Sequence, residues 1–244
     1  MKIIAGNWKM NGTPEENIAR LRGIKDAVKP TENKVIVFPP FLSLPDAVTM
    51  LADCDIAVGA QNCYPRPNGA FTGEVSVTML REAGCDYCLV GHSERRQYFA
   101  ENDDFLREKV IAVAEAGMIP VFCVGESEEQ RENGSYRRVL GDQIKNVLSG
   151  LKLEKEKIFI AYEPVWAIGT GKTATPEDAD ETMGMIREIL REIGQPDDLC
   201  LLYGGSAKPA NAEALLSREN IDGLLIGGAS LKPDDFAAMA AVRL

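Results

Sequence analysis

The chain has 244 residues, 45% of them hydrophobic and 26% charged, with a net charge of −10. That supplies apolar material for a sizeable core, and the acidic balance excludes nucleic acid and anionic membrane surfaces, which call for a basic footprint. No run approaches the roughly 20 apolar residues of a membrane span, and Met1–Lys9 turns polar too soon to read as a signal peptide.

Six cysteines sit mostly beside apolar residues, and there is one histidine. These cysteines read as reduced thiols in a cytoplasmic protein. Cys85-Asp86-Tyr87-Cys88 is a lone C-x-x-C. Without a second pair, and with one histidine, a four-ligand site is hard to assemble, so no metal is expected. Cys88 is expected in a buried strand.

Short apolar runs recur along the chain: Lys2–Gly6, Lys34–Phe38, Ile56–Ala60, Tyr87–Val90, Ile119–Val124, Ile158–Tyr162, Leu199–Leu202 and Gly223–Ile226. They are β-branched and nearly continuous in apolarity, as parallel strands buried on both faces should be. Amphipathic segments lie between them. Thr13-Pro14-Glu15-Glu16 and Thr175-Pro176-Glu177-Asp178 each place a capping hydroxyl, a first-turn proline and acids at a helix start. Lys208-Pro209 and Lys232-Pro233 keep the proline, and Asp103–Ala116 runs into Gly117, a helix stop. Eight strand–helix units imply parallel pairing through crossovers. No linker divides them. The expectation is an α/β chain, one (β/α)8 barrel over residues 1–244, with a doubly wound open sheet as the alternative.

Barrels place their chemistry in the loops after the strands. Asn7-Trp8-Lys9 follows the first run. Gly91-His92-Ser93-Glu94-Arg95-Arg96 follows the fourth, and Glu163-Pro164 opens the loop after the sixth. Gly204-Gly205-Ser206 and Gly227-Gly228 follow the last two. Each could be ordinary: a satisfied polar histidine, a solvated lysine, a loop acid, plain turns. Their common placement at one rim points to a site. His92 opens a helix, which favours a neutral imidazole. Paired glycines let backbone N–H groups approach a phosphate. Gly171-Lys172-Thr173 looks like the end of a P-loop, but Trp166 stands where that motif needs glycine. Gly169-Thr170-Gly171 lies too far from its strand for a dinucleotide fingerprint.

These motifs, with Ala161-Tyr162-Glu163-Pro164-Val165-Trp166-Ala167-Ile168-Gly169-Thr170-Gly171 and Tyr203-Gly204-Gly205-Ser206, resemble the triosephosphate isomerase family from end to end. The resemblance implies a TIM barrel that interconverts dihydroxyacetone phosphate and glyceraldehyde 3-phosphate without cofactor. It implies Glu163 as base, His92 as electrophile, and Lys9 and Asn7 at the substrate. Gly169, Ser206, Gly227 and Gly228 would hold the phosphate. Glu94 would lie near Lys9, with Ser93 beside it. The resemblance also implies tuned pKa values, with a neutral histidine beside a glutamate base. Pro164–Ala174 would form a lid. The long loop Gln61–Glu74 would insert into a second subunit, with Thr72 reaching that subunit's Asn7 and Lys9, so a homodimer is expected.

Two other readings stand. Lys9 could be a Schiff-base nucleophile in an aldolase-type barrel, which needs a lowered lysine pKa. Glu94 and Glu163 nearby would instead keep it charged. A phosphosugar-binding barrel without turnover is the non-enzymatic reading, and the pairing of base with electrophile argues against it.

Overall fold

The structure is a computed structural model and describes residues 1–167 and 174–244. Eight strands run in the order β1 (Ile3–Asn7), β2 (Lys34–Phe38), β3 (Ile56–Ala60), β4 (Tyr87–Val90), β5 (Ile119–Val124), β6 (Phe159–Tyr162), β7 (Cys200–Tyr203) and β8 (Gly223–Ile226). Each pairs in parallel with the next, and β8 returns to β1, so the sheet closes as a barrel. Closure excludes the open-sheet alternative.

The double burial of the strands explains their unbroken apolarity. Alternate residues point to opposite faces of a strand. Ala5, Ile36, Leu89, Val121, Ala161 and Leu202 pack with one another inside the ring. Their neighbours Ile4, Val35, Val37, Phe122 and Ile160 pack outward against the helices. Cys88 is buried in β4, and all six cysteines are free thiols.

The helices are α1 (Pro14–Ala27), α2 (Leu44–Leu51), α3 (Val77–Glu82), α4 (Ser93–Phe99), α5 (Asp103–Glu115), α6 (Glu128–Glu132), α7 (Tyr136–Leu148), α8 (Pro176–Glu192), α9 (Pro209–Leu216) and α10 (Pro233–Ala240). Their starts follow the local chemistry. Thr13 with Glu16, and Thr175 with Asp178, form reciprocal capping boxes that satisfy otherwise orphaned N–H groups. Pro209 and Pro233 each occupy a first turn. None of the described helices is long and apolar enough to cross a membrane.

Strands β1, β6 and β7 begin one residue later than their apolar runs. Ladder hydrogen bonds set strand ends, and side-chain apolarity does not. Polar Asn7 joins β1 because it pairs with Phe38 of β2, and Tyr203 extends β7 because it pairs with Leu224 of β8.

The seam between β8 and β1 leaves no room for a side chain at Gly223, where a Cβ would press on the Ile3 carbonyl oxygen. Gly223→Ala is therefore expected to cost about 1–3 kcal/mol of stability, the usual cost of overpacking a filled core. Urea unfolding measures it, and an unchanged midpoint with unchanged slope would show that the seam is looser than described.

Candidate active site

A cavity of about 320 Å³ opens at the C-terminal ends of the strands. Asn7, Lys9, His92, Glu163, Ser206, Gly227 and Gly228 all line it. Residues from five strand ends thus meet around one space.

Glu163 is the first residue beyond β6 and is only 2% exposed. Its N–H donates to the Val124 carbonyl at 2.8 Å, which ties it to the end of β5. The neighbouring residue there is Gly125, whose Cβ, if present, would strike the Glu163 carbonyl oxygen. The Glu163 side chain then has little freedom. Its Oε2 accepts the Ser93 N–H at 2.9 Å, and its Oε1 lies 2.9 Å from His92 Nε2.

His92 is the N-cap of α4, and its Nδ1 accepts the Glu94 backbone N–H at 3.3 Å. An Nδ1 that accepts leaves the proton on Nε2, so the network assigns the Nε2–H tautomer, with Glu163 as its acceptor.

Burial acts to raise the Glu163 pKa. The positive charge His92 carries when protonated, its hydrogen bond, the Ser93 N–H and the charge of Lys9 outweigh it, and the net direction is downward. Glu163 is thus held ionised. For His92, burial acts to lower the pKa, but Glu163 and then Glu94 raise it, and the net direction is upward. The expectation that the helix start alone would depress this pKa is corrected here. With Glu163 resting on Nε2, the carboxylate dominates. The Glu94 N–H aimed at Nδ1 is the feature that works against a second proton.

Lys9 has φ +53, a left-handed conformation that residues with side chains seldom adopt. Both ends of the residue are pinned. Its N–H donates to Asn7 Oδ1 at 3.0 Å, and Gln61 Nε2 donates to its carbonyl at 2.9 Å. Held this way, Lys9 Nζ pairs with Glu94 Oε1 at 2.6 Å. An ammonium paired with a carboxylate is the opposite of the desolvated amine that Schiff-base chemistry needs.

Glycines supply much of the remaining lining. Gly204, Gly205 and Ser206 follow β7. Gly227 follows β8, and Gly228 opens a one-turn 3-10 helix, Gly228–Leu231. A Cβ on Gly228 would meet nothing, and one on Gly227 would lie 3.6 Å from Lys9 Cε. The first N–H groups of such a turn have no acceptor within it, which suits an anion.

Gly169 and most of the expected lid over Pro164–Ala174 lie outside the described residues. Thr72 is exposed on the loop between β3 and α3 and does not line the cavity. Among the described residues no cluster of His, Cys, Asp or Glu is arranged to hold a metal ion.

Three contributors were not singled out from the sequence. Gln61 directly follows β3 and holds Lys9. Gly125 follows β5 and makes room for Glu163. Glu126, 0% exposed, accepts from Tyr162 Oη at 3.0 Å and Trp166 Nε1 at 2.8 Å, bracing the start of the loop after β6. The signal available was position: each stands within two residues of a strand's C-terminal end.

Fold and site together define an enzyme that carries out acid–base chemistry at the mouth of a β/α barrel. Residues 2–243 match the family model for triosephosphate isomerase. A Fusobacterium nucleatum protein named triosephosphate isomerase is 49% identical over 239 residues, covering 96% of this chain and 95% of that one. Proteins of the same name from Aquifex aeolicus and Acetivibrio thermocellus are 46% and 49% identical, covering 97% and 98% of this chain and 97% and 96% of their own. This chain belongs to the triosephosphate isomerase family.

If Glu163 is what raises the His92 pKa, Glu163→Gln lowers it. His92 is the only histidine, so its imidazole signals can be followed by NMR across pH without assignment. The expected midpoint in the variant lies below that of the parent. A midpoint that stays put or rises would mean that another group controls the ring.

Proposed function

We propose that this chain interconverts dihydroxyacetone phosphate and D-glyceraldehyde 3-phosphate by moving a proton between two carbons through an enediolate. One observation carries the reading: an ionised carboxylate, an imidazole N–H and an ammonium-bearing lysine line the same 320 Å³ cavity. That volume suits a small molecule. The barrel of residues 1–244 acts in this reading as one catalytic domain.

Glu163 is the base. Removing a proton beside a carbonyl needs a positioned carboxylate, worth about 10²–10⁴-fold. Its two oxygens are engaged by the Ser93 N–H and the His92 Nε2–H. Substrate must take over the His92 Nε2–H with its carbonyl oxygen, which frees one carboxylate oxygen to face the carbon-bound proton. His92 then stabilises the oxyanion as it forms. Lys9 adds a fixed positive charge beside it, and Asn7 keeps Lys9 in place. The phosphate lies against backbone N–H groups of Gly227 and Gly228, with Ser206 and Gly169 completing the cradle. Those neutral donors and Lys9 make the site locally positive in a chain of net charge −10. The scheme calls for no metal and no organic cofactor.

The functional form in this reading is a homodimer. Several large apolar side chains are exposed in the segments that follow β1, β2 and β4, including Met10 at 96%, Leu42 at 80%, Tyr98 at 69% and Phe99 at 63%. Exposed apolar surface of this kind marks an interface. The loop after β3, which carries the exposed Thr72, would lie against the partner's Asn7 and Lys9. Sedimentation at micromolar concentration is expected to give twice the chain mass, and a chain-mass species alone would remove the dimer. Free thiols throughout fit a reducing cytoplasm.

Glu163→Asp is expected to withdraw the carboxylate by roughly an ångström and slow turnover by about 100-fold, with little change in KM. A coupled assay with glyceraldehyde 3-phosphate and a chelator present measures both constants. Parental turnover in this variant would take the base role away from Glu163.

A further inference from the structure

Arg20, on α1, takes no part in the scheme above, yet it touches two of the loops that build the site. Its Nε donates to the Leu231 carbonyl at 3.1 Å. Leu231 ends the 3-10 turn that Gly228 opens, and it lines the cavity. The same guanidinium lies over the Trp8 ring, 5.0 Å from its centroid. Trp8 directly precedes Lys9. Its indole N–H is buried with no partner among the described residues, and its ring, fully buried in the core outside the barrel, adds the stacking contact with Arg20 to that packing. A third contact runs from the guanidinium to the Asn17 side-chain oxygen. Asn17, fully buried, donates to the Gly12 carbonyl at 3.3 Å and to Ser43 Oγ at 3.0 Å.

The position of Arg20 is itself fixed. Helices α1 and α10 approach closely enough at Gly23 that a Cβ there would lie 2.7 Å from Pro233 Cγ. A planar fork presented from this backbone can donate in two directions and stack on a third face, which an ammonium cannot do.

We infer that Arg20 is a positioning residue that sets the spacing between the Lys9 segment and the Gly227–Gly228 cradle, and so the fit of the substrate's phosphate. The two segments are immediate neighbours: a Cβ on Gly227 would stand in ordinary contact, 3.6 Å from Lys9 Cε. A shift of the 3-10 turn away from β1 would open this gap and separate the cation from the N–H groups that share the anion. The inference rests on the phosphate role proposed for those glycines.

The test compares the parent with Arg20→Met and Arg20→Lys, using steady-state kinetics with glyceraldehyde 3-phosphate and competitive inhibition by inorganic phosphate. Arg20→Met is expected to raise KM and the phosphate inhibition constant together by about tenfold, a modest share of what an ångström of misplacement can cost. The kcat should stay within about threefold of the parent, because Glu163 and His92 are held by Ser93, Val124 and Glu94, none of which Arg20 contacts. Arg20→Lys keeps the charge but not the fork and should fall between the two. A lower unfolding temperature with parental KM and phosphate inhibition would make the residue purely structural and overturn the inference. Should Arg20→Met fail to fold, parental constants in Arg20→Lys overturn it equally. A parent without triose phosphate turnover would instead remove the functional reading on which the inference stands.

Discussion

A buried, ionised carboxylate is the constraint around which this site is arranged. Taking a carboxylate out of water costs several kcal/mol unless donors and positive charge replace the solvent. At Glu163 the charge His92 carries when protonated and its Nε2–H, then the Ser93 N–H and the charge of Lys9, supply that replacement, and together they bring the pKa below its ordinary value despite near-complete burial. The field of this charge reaches further. The Cys123 thiol, fully buried at the end of β5, is pushed up by burial first and by Glu163 second. A thiol so raised stays protonated and leaves Glu163 as the dominant negative charge at this part of the wall.

The barrel makes such an arrangement possible because it separates two tasks. Interior and exterior apolar layers stabilise the ring, while strand ends present polar residues at fixed angles. Glu163, Gly125 and Gly204 illustrate the rim's tight tolerances. A Cβ at Gly125 would strike the Glu163 carbonyl, and one at Gly204 would lie 3.0 Å from Glu163 Cγ. Glu163 therefore sits between two glycines that follow β5 and β7, the strands flanking β6. Lys9 is held differently, by side-chain amides on either side of a left-handed residue. Such backbone strain persists where the surroundings over-determine it, and Asn7 and Gln61 do so here.

Much of this was legible in the sequence. The runs at β2, β3, β4, β5 and β8 matched the observed strands residue for residue, since continuous apolarity reports burial on both faces. Capping at Thr13 and Thr175 was equally plain, because a hydroxyl, a proline and an acid act over four consecutive residues. Lysine, histidine and glutamate were visible as rim residues because position after a strand is a one-dimensional property. What stayed hidden depends on contacts across the ring. Gln61 matters through Lys9, 52 residues away, and no local pattern links them. The direction of the His92 pKa depended on where the Glu163 side chain rests, and the helix start alone pointed the other way. The left-handed backbone of Lys9 carried no glycine to announce it.

The central claim is that Glu163 moves the proton. Turnover in heavy water tests it directly. When glyceraldehyde 3-phosphate is the substrate, a carboxylate that exchanges its proton with solvent should leave deuterium on the terminal carbon of the dihydroxyacetone phosphate formed. The account predicts such incorporation by the parent and neither incorporation nor turnover, within the assay's reach, by Glu163→Gln. Deuterium appearing at a near-parental rate in the variant would contradict it.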